Sequence, residues 1–87
     1  MNLKLLQDLL KNLRIPESYY SLNSGLKYDA FIIEEQDGKW IYFYFDEKGN
    51  REDEHVFYNE NEVCEYLLKK IQTEYEYPSD KYTQSKS

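Results

Sequence analysis

The chain has 87 residues, which bounds it to one domain with a modest core and leaves little room for a wide internal active site. Its hydrophobic fraction of 40%, charged fraction of 32% and ten tyrosines exclude outright disorder, and no apolar run approaches a membrane span. The net charge of −6 disfavours nucleic acid and anionic membranes as partners, and the single cysteine, Cys64, excludes an internal disulfide.

The N-terminal segment MNLKLLQDLLKNLR has no signal-peptide core, because lysines and an aspartate interrupt its leucines. Residues 2 to 14 instead predict an amphipathic helix. Leu3, Leu6, Leu10 and Leu13 share one face, and Leu5 and Leu9 widen it. Asn2 is the expected N-cap, and Pro16 marks the stop. Residues 17 to 27 read as a polar connection with turn residues Asn23, Ser24 and Gly25.

From Tyr28 to Glu35 the pattern is that of a strand, and Asp37-Gly38 is a strong hairpin signal. That turn pairs Gln36 with Lys39, Ile33 with Tyr42, Ile32 with Phe43 and Phe31 with Tyr44. The second strand, KWIYFYF, is apolar on both faces: Trp40, Tyr42 and Tyr44 have one parity, Ile41, Phe43 and Phe45 the other. Ile and Phe prefer the interior more strongly than Tyr, so the Ile/Phe parity is expected to face the helices. The Trp/Tyr parity is then left for a partner. A turn at residues 47–50 leads to a third strand, Arg51 to Tyr58, in one of two registers. One sets Asp53 and His55 beside the tyrosines; the other sets Glu52 and Glu54 there.

A last helix starts near Asn59, with Glu62 completing a capping-box spacing and Tyr58 available as a staple to Val63. Its inward stripe is Val63, Cys64, Leu67, Leu68 and Ile71. The expected fold is therefore α+β, in the order α-β-β-β-α. A three-stranded antiparallel meander carries both helices on one face. The domain spans residues 1–77, and 78–87 form a disordered tail.

Chemistry is sparse. His55 has no serine or cysteine placed as its nucleophile, and Cys64 reads as a buried structural thiol. Glu52-Asp53-Glu54 alternates along a strand and cannot converge on one metal ion. Three glycines supply no phosphate loop, so no catalytic residue, metal or cofactor is expected. What stands out is acid beside aromatics. Between Asp29 and Glu65 twelve acidic residues face three basic ones, a balance of −9. Such a surface steers a basic protein toward it, and Trp and Tyr are favoured interface anchors. The candidate partner-binding residues are Trp40, Tyr42, Tyr44, Asp46, Glu47, Glu52, Asp53 and Glu54.

Three stretches carry a resemblance. They are Ile15, Pro16, Tyr19, Tyr20, Ser21 and Leu22; then Gly38, Lys39, Trp40, Tyr44, Gly49 and Asn50; then Cys64 and Tyr66 of the last helix. Together they resemble the small immunity proteins of bacterial contact-dependent inhibition and related polymorphic toxin systems. The pattern departs at Phe43 and Phe45, where tyrosines are expected. The resemblance implies a cytoplasmic, non-enzymatic protein that binds the C-terminal domain of a cognate toxin. Such toxins are often nucleases, whose phosphate-binding clefts are basic. An acidic, aromatic surface can block such a cleft one-to-one. The other function class the sequence supports is a structural or adaptor module, or a homodimer joined through an exposed aromatic face or a strand edge.

Overall fold

The computed structural model describes residues 1–74. The segment expected to be a disordered tail, 78–87, and the domain boundary at 77 lie outside the described residues. Helix α1 (Leu3–Asn12) starts at Asn2, whose side chain accepts a hydrogen bond from the Leu5 N–H at 2.9 Å. It stops earlier than residue 14. Arg14 turns left-handed (φ 62°), so that its N–H reaches the Lys11 carbonyl at 2.9 Å and the Ile15 N–H reaches Leu10 at 3.0 Å. This is a Schellman ending with arginine where glycine is usual, and it drops Ile15 into the core before Pro16.

A 3₁₀ turn (Glu17–Tyr19) feeds a strand that the sequence pattern did not reveal, β1 (Tyr20–Leu22). It pairs in parallel with β2 (Ala30–Gln36), Tyr20 opposite Phe31 and Leu22 opposite Ile33. Parallel neighbours usually need a long crossover. Here residues 23–29 manage it through left-handed backbone at Asn23, Gly25 and Asp29. Side chains fasten the loop: Ser21 Oγ donates to the Gly25 carbonyl at 2.6 Å, and Asn23 Oδ1 accepts from the Glu35 N–H. Lys27 donates to the Glu17 and Tyr20 carbonyls.

The β2–β3 hairpin has the expected register, Gln36 opposite Lys39 through Ala30 opposite Phe45, with Asp37 and Gly38 both at positive φ. Strand β3 (Lys39–Phe45) pairs antiparallel with β4 (Arg51–Phe57). The fold is thus α+β, but the three-stranded meander gains β1 and becomes a four-stranded mixed sheet ordered β1-β2-β3-β4. Helix α2 (Glu60–Glu74) starts at Asn59, whose Oδ1 accepts from the Glu62 N–H at 2.8 Å. Tyr58 is 73% exposed and does not staple the helix start.

Both helices lie on one sheet face, as expected, but on the opposite parity. Leu6 and Leu10 of α1 and Val63, Cys64, Leu67 and Ile71 of α2 pack with Tyr20, Phe31, Ile33 and Tyr42, and Trp40 and Tyr44 join them half-buried. Ala30, Ile32, Ile41, Phe43 and Phe45 form a separate cluster on the other face. The reason is the sum over four strands. β1 and β4 add Tyr20, Leu22 and Phe57 to the Trp/Tyr side, against Ser21 and Val56 on the other. The larger apolar area goes under the helices. The second face is closed locally: the Arg51 guanidinium sits 4.2 Å over the Phe43 ring, and Tyr28 stacks on Phe45 at 5.3 Å.

No helix among the described residues is long and apolar enough to cross a membrane. Cys64 is fully buried, and its thiol pKa is pushed up to about 11, chiefly by that burial. Tyr20 is also buried, and its hydroxyl has no hydrogen-bond partner among the described residues. An unpaired buried hydroxyl costs about 1–3 kcal/mol, so Tyr20→Phe should stabilise the fold by roughly 1 kcal/mol. Thermal unfolding followed by circular dichroism should show the melting temperature rising by about 4–8 °C. A fall would mean that the hydroxyl is held.

Candidate functional site

The β3–β4 connection is organised by Asp46. Its carboxylate accepts from the N–H groups of Lys48 (2.9 Å) and Asn50 (2.7 Å) and from the Asn50 amide (3.2 Å). The Asn50 backbone bond, with help from the others, holds its pKa below the ordinary value. The loop therefore displays a fixed negative charge, with Glu47 exposed beside it.

The register question of β4 is answered by a bulge. Phe45 faces Arg51, Tyr44 faces Glu52, and Tyr42 faces His55, so Asp53 and Glu54 together oppose Phe43. Asp53 takes the left-handed conformation (φ 55°) that glycine often fills in such bulges. The extra residue lets Glu52, Asp53 and His55 all lie on the tyrosine side. Neither of the two simple registers does that.

The consequence is a junction between β4 and α2. Asp53 Oδ2 accepts from the Tyr66 hydroxyl at 2.9 Å and from Lys70 Nζ at 3.0 Å, and Oδ1 contacts His55 Nε2 at 3.0 Å. Burial works to raise the Asp53 pKa, but hydrogen bonds from Lys70, His55 and Tyr66 outweigh it and hold the carboxyl below its ordinary 3.8. Lys70 also reaches Glu74 Oε2 at 3.0 Å, and the bonds to Asp53 and Glu74 raise its pKa. Above them stacks an aromatic group in which the Tyr66 ring lies 4.9 Å from Tyr42, 4.9 Å from His55 and 5.3 Å from Phe57.

Next to this junction is a cavity of about 310 Å³ lined by Tyr42, Tyr44, Glu52, Asp53, Lys70 and Glu74. The structure thus brings together four of the eight candidate residues: Tyr42, Tyr44, Glu52 and Asp53. Asp46 lies within hydrogen-bonding reach of Glu52, and the charge of Glu47 bears on Tyr44. Trp40 is not among the lining residues; it packs half-buried on the helix-side core, opposite Phe57. Glu54 is exposed and also stands apart from the cavity. The expectation of an open Trp/Tyr surface is therefore corrected. Tyr42 is 1% exposed and Tyr44 is half-buried, its hydroxyl donating to Asp29 at 3.2 Å. A tyrosine can bury its ring under a helix and still bring its hydroxyl to a polar rim, which a ranking by hydrophobicity misses.

Tyr66, Lys70 and Glu74 were absent from the sequence-derived set. Their spacing at i, i+4, i+8 on α2 does place them on one helix face, the signal that could have found them. Among the described residues, no group of three or more His, Cys, Asp or Glu side chains could hold a metal ion. No protein-family model, curated protein or solved structure matches this chain.

Because folding lowers the Asp53 pKa, the stability it contributes is complete above 3.8 and is lost as the pH falls through the lower folded value. Its side chain is 35% exposed, so screening limits the contribution to about 0.5–1 kcal/mol. Urea unfolding should find Asp53→Asn less stable by that amount at pH 7, with the two proteins converging only as the pH falls through the folded value below 3.8. A constant gap across that range would contradict the assignment.

Proposed function

We propose that this protein is an immunity protein that acts in the cytoplasm, binding the basic C-terminal domain of a cognate toxin and blocking it one-to-one. The observation that carries the reading is β4: a sheet-edge strand exposed from Arg51 to Val56, which presents Glu52, Asp53 and Glu54 next to Asp46 and Glu47 of the preceding turn. Between residues 46 and 54 these five acids outnumber the two bases, Lys48 and Arg51, on a chain of net charge −6. Opposed to a cleft that holds phosphates, they pair with its Lys and Arg side chains and speed the encounter. A nuclease is the toxin class whose cleft fits these acids best. Stoichiometric occlusion requires no catalytic group on the inhibitor.

The binding surface in this reading differs from an aromatic platform. Trp40 is drawn into the helix-side core, so the acids of the β3–β4 turn and of the β4 edge carry recognition. The outer edge of β4, unpaired among the described residues, and the apolar residues Ile41 and Val56 beside it favour one other reading, a second copy of this chain paired along that edge. Sedimentation of the purified protein separates the two, since a tight dimer burying β4 excludes the edge from toxin binding.

The test uses a cognate toxin domain, sought in the coding sequence that neighbours this protein's own, and a variant with Glu47, Glu52 and Glu54 each changed to Gln. Asp53 is left intact because it holds β4 to α2. Stopped-flow association at low salt should slow by roughly 10-fold, and its dependence on ionic strength should flatten. Unchanged association and unchanged protection of cells would contradict the assignment of this surface.

A further inference from the structure

The cavity beside the β4–α2 junction has a composition that its structural role does not use up. Its wall carries three carboxylates, from Glu52, Asp53 and Glu74, against the single ammonium of Lys70, leaving a formal charge of −2. Asp53 is fully engaged by Tyr66, Lys70 and His55. Glu52 pairs with no cation among the described residues, and Asp46 lies within hydrogen-bonding reach of it, which sets two like charges together. Tyr42 is 1% exposed yet forms part of the wall, and its hydroxyl makes no hydrogen bond with any described residue. Unlike that of Tyr20, this hydroxyl is not closed off from solvent, so a ring buried that completely brings an accessible polar end to an acidic space.

We propose that this cavity is a receptor for a guanidinium group. In the complex described above it takes an arginine side chain of the basic partner, and that identification of the source rests on the immunity reading. The volume of about 310 Å³ lies at the small end of ligand-sized clefts, suited to one side-chain head rather than to a larger molecule. The place for a compact ammonium, between Asp53 and Glu74, is already filled by Lys70. The acceptors left over are Glu52, the second oxygen of Glu74 and the Tyr42 hydroxyl, spread over different walls. A planar fork of five donors can meet such a set, whereas a point-like ammonium meets only part of it. The half-buried ring of Tyr44 adds an aromatic wall beside these acceptors. Burial, then the charges of Asp53 and Glu74, raise the Tyr42 pKa, so its hydroxyl stays protonated and neutral and can accept from the cation.

The probes are N-acetyl-arginine amide and N-acetyl-lysine amide, titrated into the isotopically labelled full chain and followed by NMR. The arginine probe should give saturable shifts at Tyr42, Tyr44 and Glu52 and should bind about 3- to 10-fold more tightly than the lysine probe. Tyr42→Phe deletes only the unpaired hydroxyl, so the melting temperature should hold while arginine-probe affinity falls by about 3- to 10-fold. Glu52→Gln, at an exposed position, should weaken it similarly. No saturable shift at these residues, equal binding of the two probes, or full affinity in both variants would overturn the proposal. Failure of the immunity reading looks different. In that case the arginine probe still binds and Tyr42→Phe still weakens it, while the toxin domain does not bind the intact protein. Conversely, a toxin domain that binds Tyr42→Phe and Glu52→Gln with wild-type affinity overturns the arginine assignment and leaves the immunity reading standing.

Discussion

The arrangement of this small protein depends on one backbone irregularity, the left-handed turn of Asp53 inside β4. A non-glycine residue in that conformation costs roughly 1 kcal/mol, and aspartate is among the few that adopt it readily. The cost is offset where it arises. The bulge turns the Asp53 carboxylate toward α2, where Tyr66 and Lys70 bind it, and brings His55 opposite Tyr42. Without the extra residue, an edge strand of six exposed positions would have little to hold it to the helix layer. The bulge also breaks the regular edge, and with its acids makes open-ended strand pairing less favourable.

From that junction follows the distribution of roles between the two sheet faces. The helices cover the face with the larger aromatic residues, and the tyrosine hydroxyls emerge along its rim toward Asp29 and Asp53. Aromatics and acids are thus combined, but as a rim rather than as an open platform. Rings supply packing for the core, while hydroxyls and carboxylates supply the polar lining of a cavity. The opposite face keeps its phenylalanines under Arg51 and Tyr28.

Much of this was legible in the residues. Asp37-Gly38 fixed the first hairpin to the residue, because a two-residue turn at positive φ leaves no freedom of register. Asn2 and Asn59 marked both helix starts through the donors that every helix leaves unpaired. Strand β1 was hidden because Tyr20–Leu22 pairs with β2 in parallel, with no hairpin turn to announce it. The choice of sheet face was misjudged from β3 alone, since Tyr20, Leu22 and Phe57 on its neighbours decide it. The bulge had no local signature: aspartate within a run of acids reads as surface charge. Of the site, the acids and tyrosines could be named from the sequence, whereas their convergence with Lys70 and Glu74 depends on the bulge and on where α2 crosses the sheet.

The account turns on the β4 register, and a nuclear Overhauser spectrum of the labelled protein in solution reads it directly. It should show cross-strand contacts of Tyr42 with His55 and of Tyr44 with Glu52, a break opposite Phe43, and contacts from the His55 ring to Tyr66. An unbroken ladder through Phe43, with Asp53 turned away from Tyr66 and Lys70, would contradict the account. The acidic cavity and the anchoring of the binding edge would go with it.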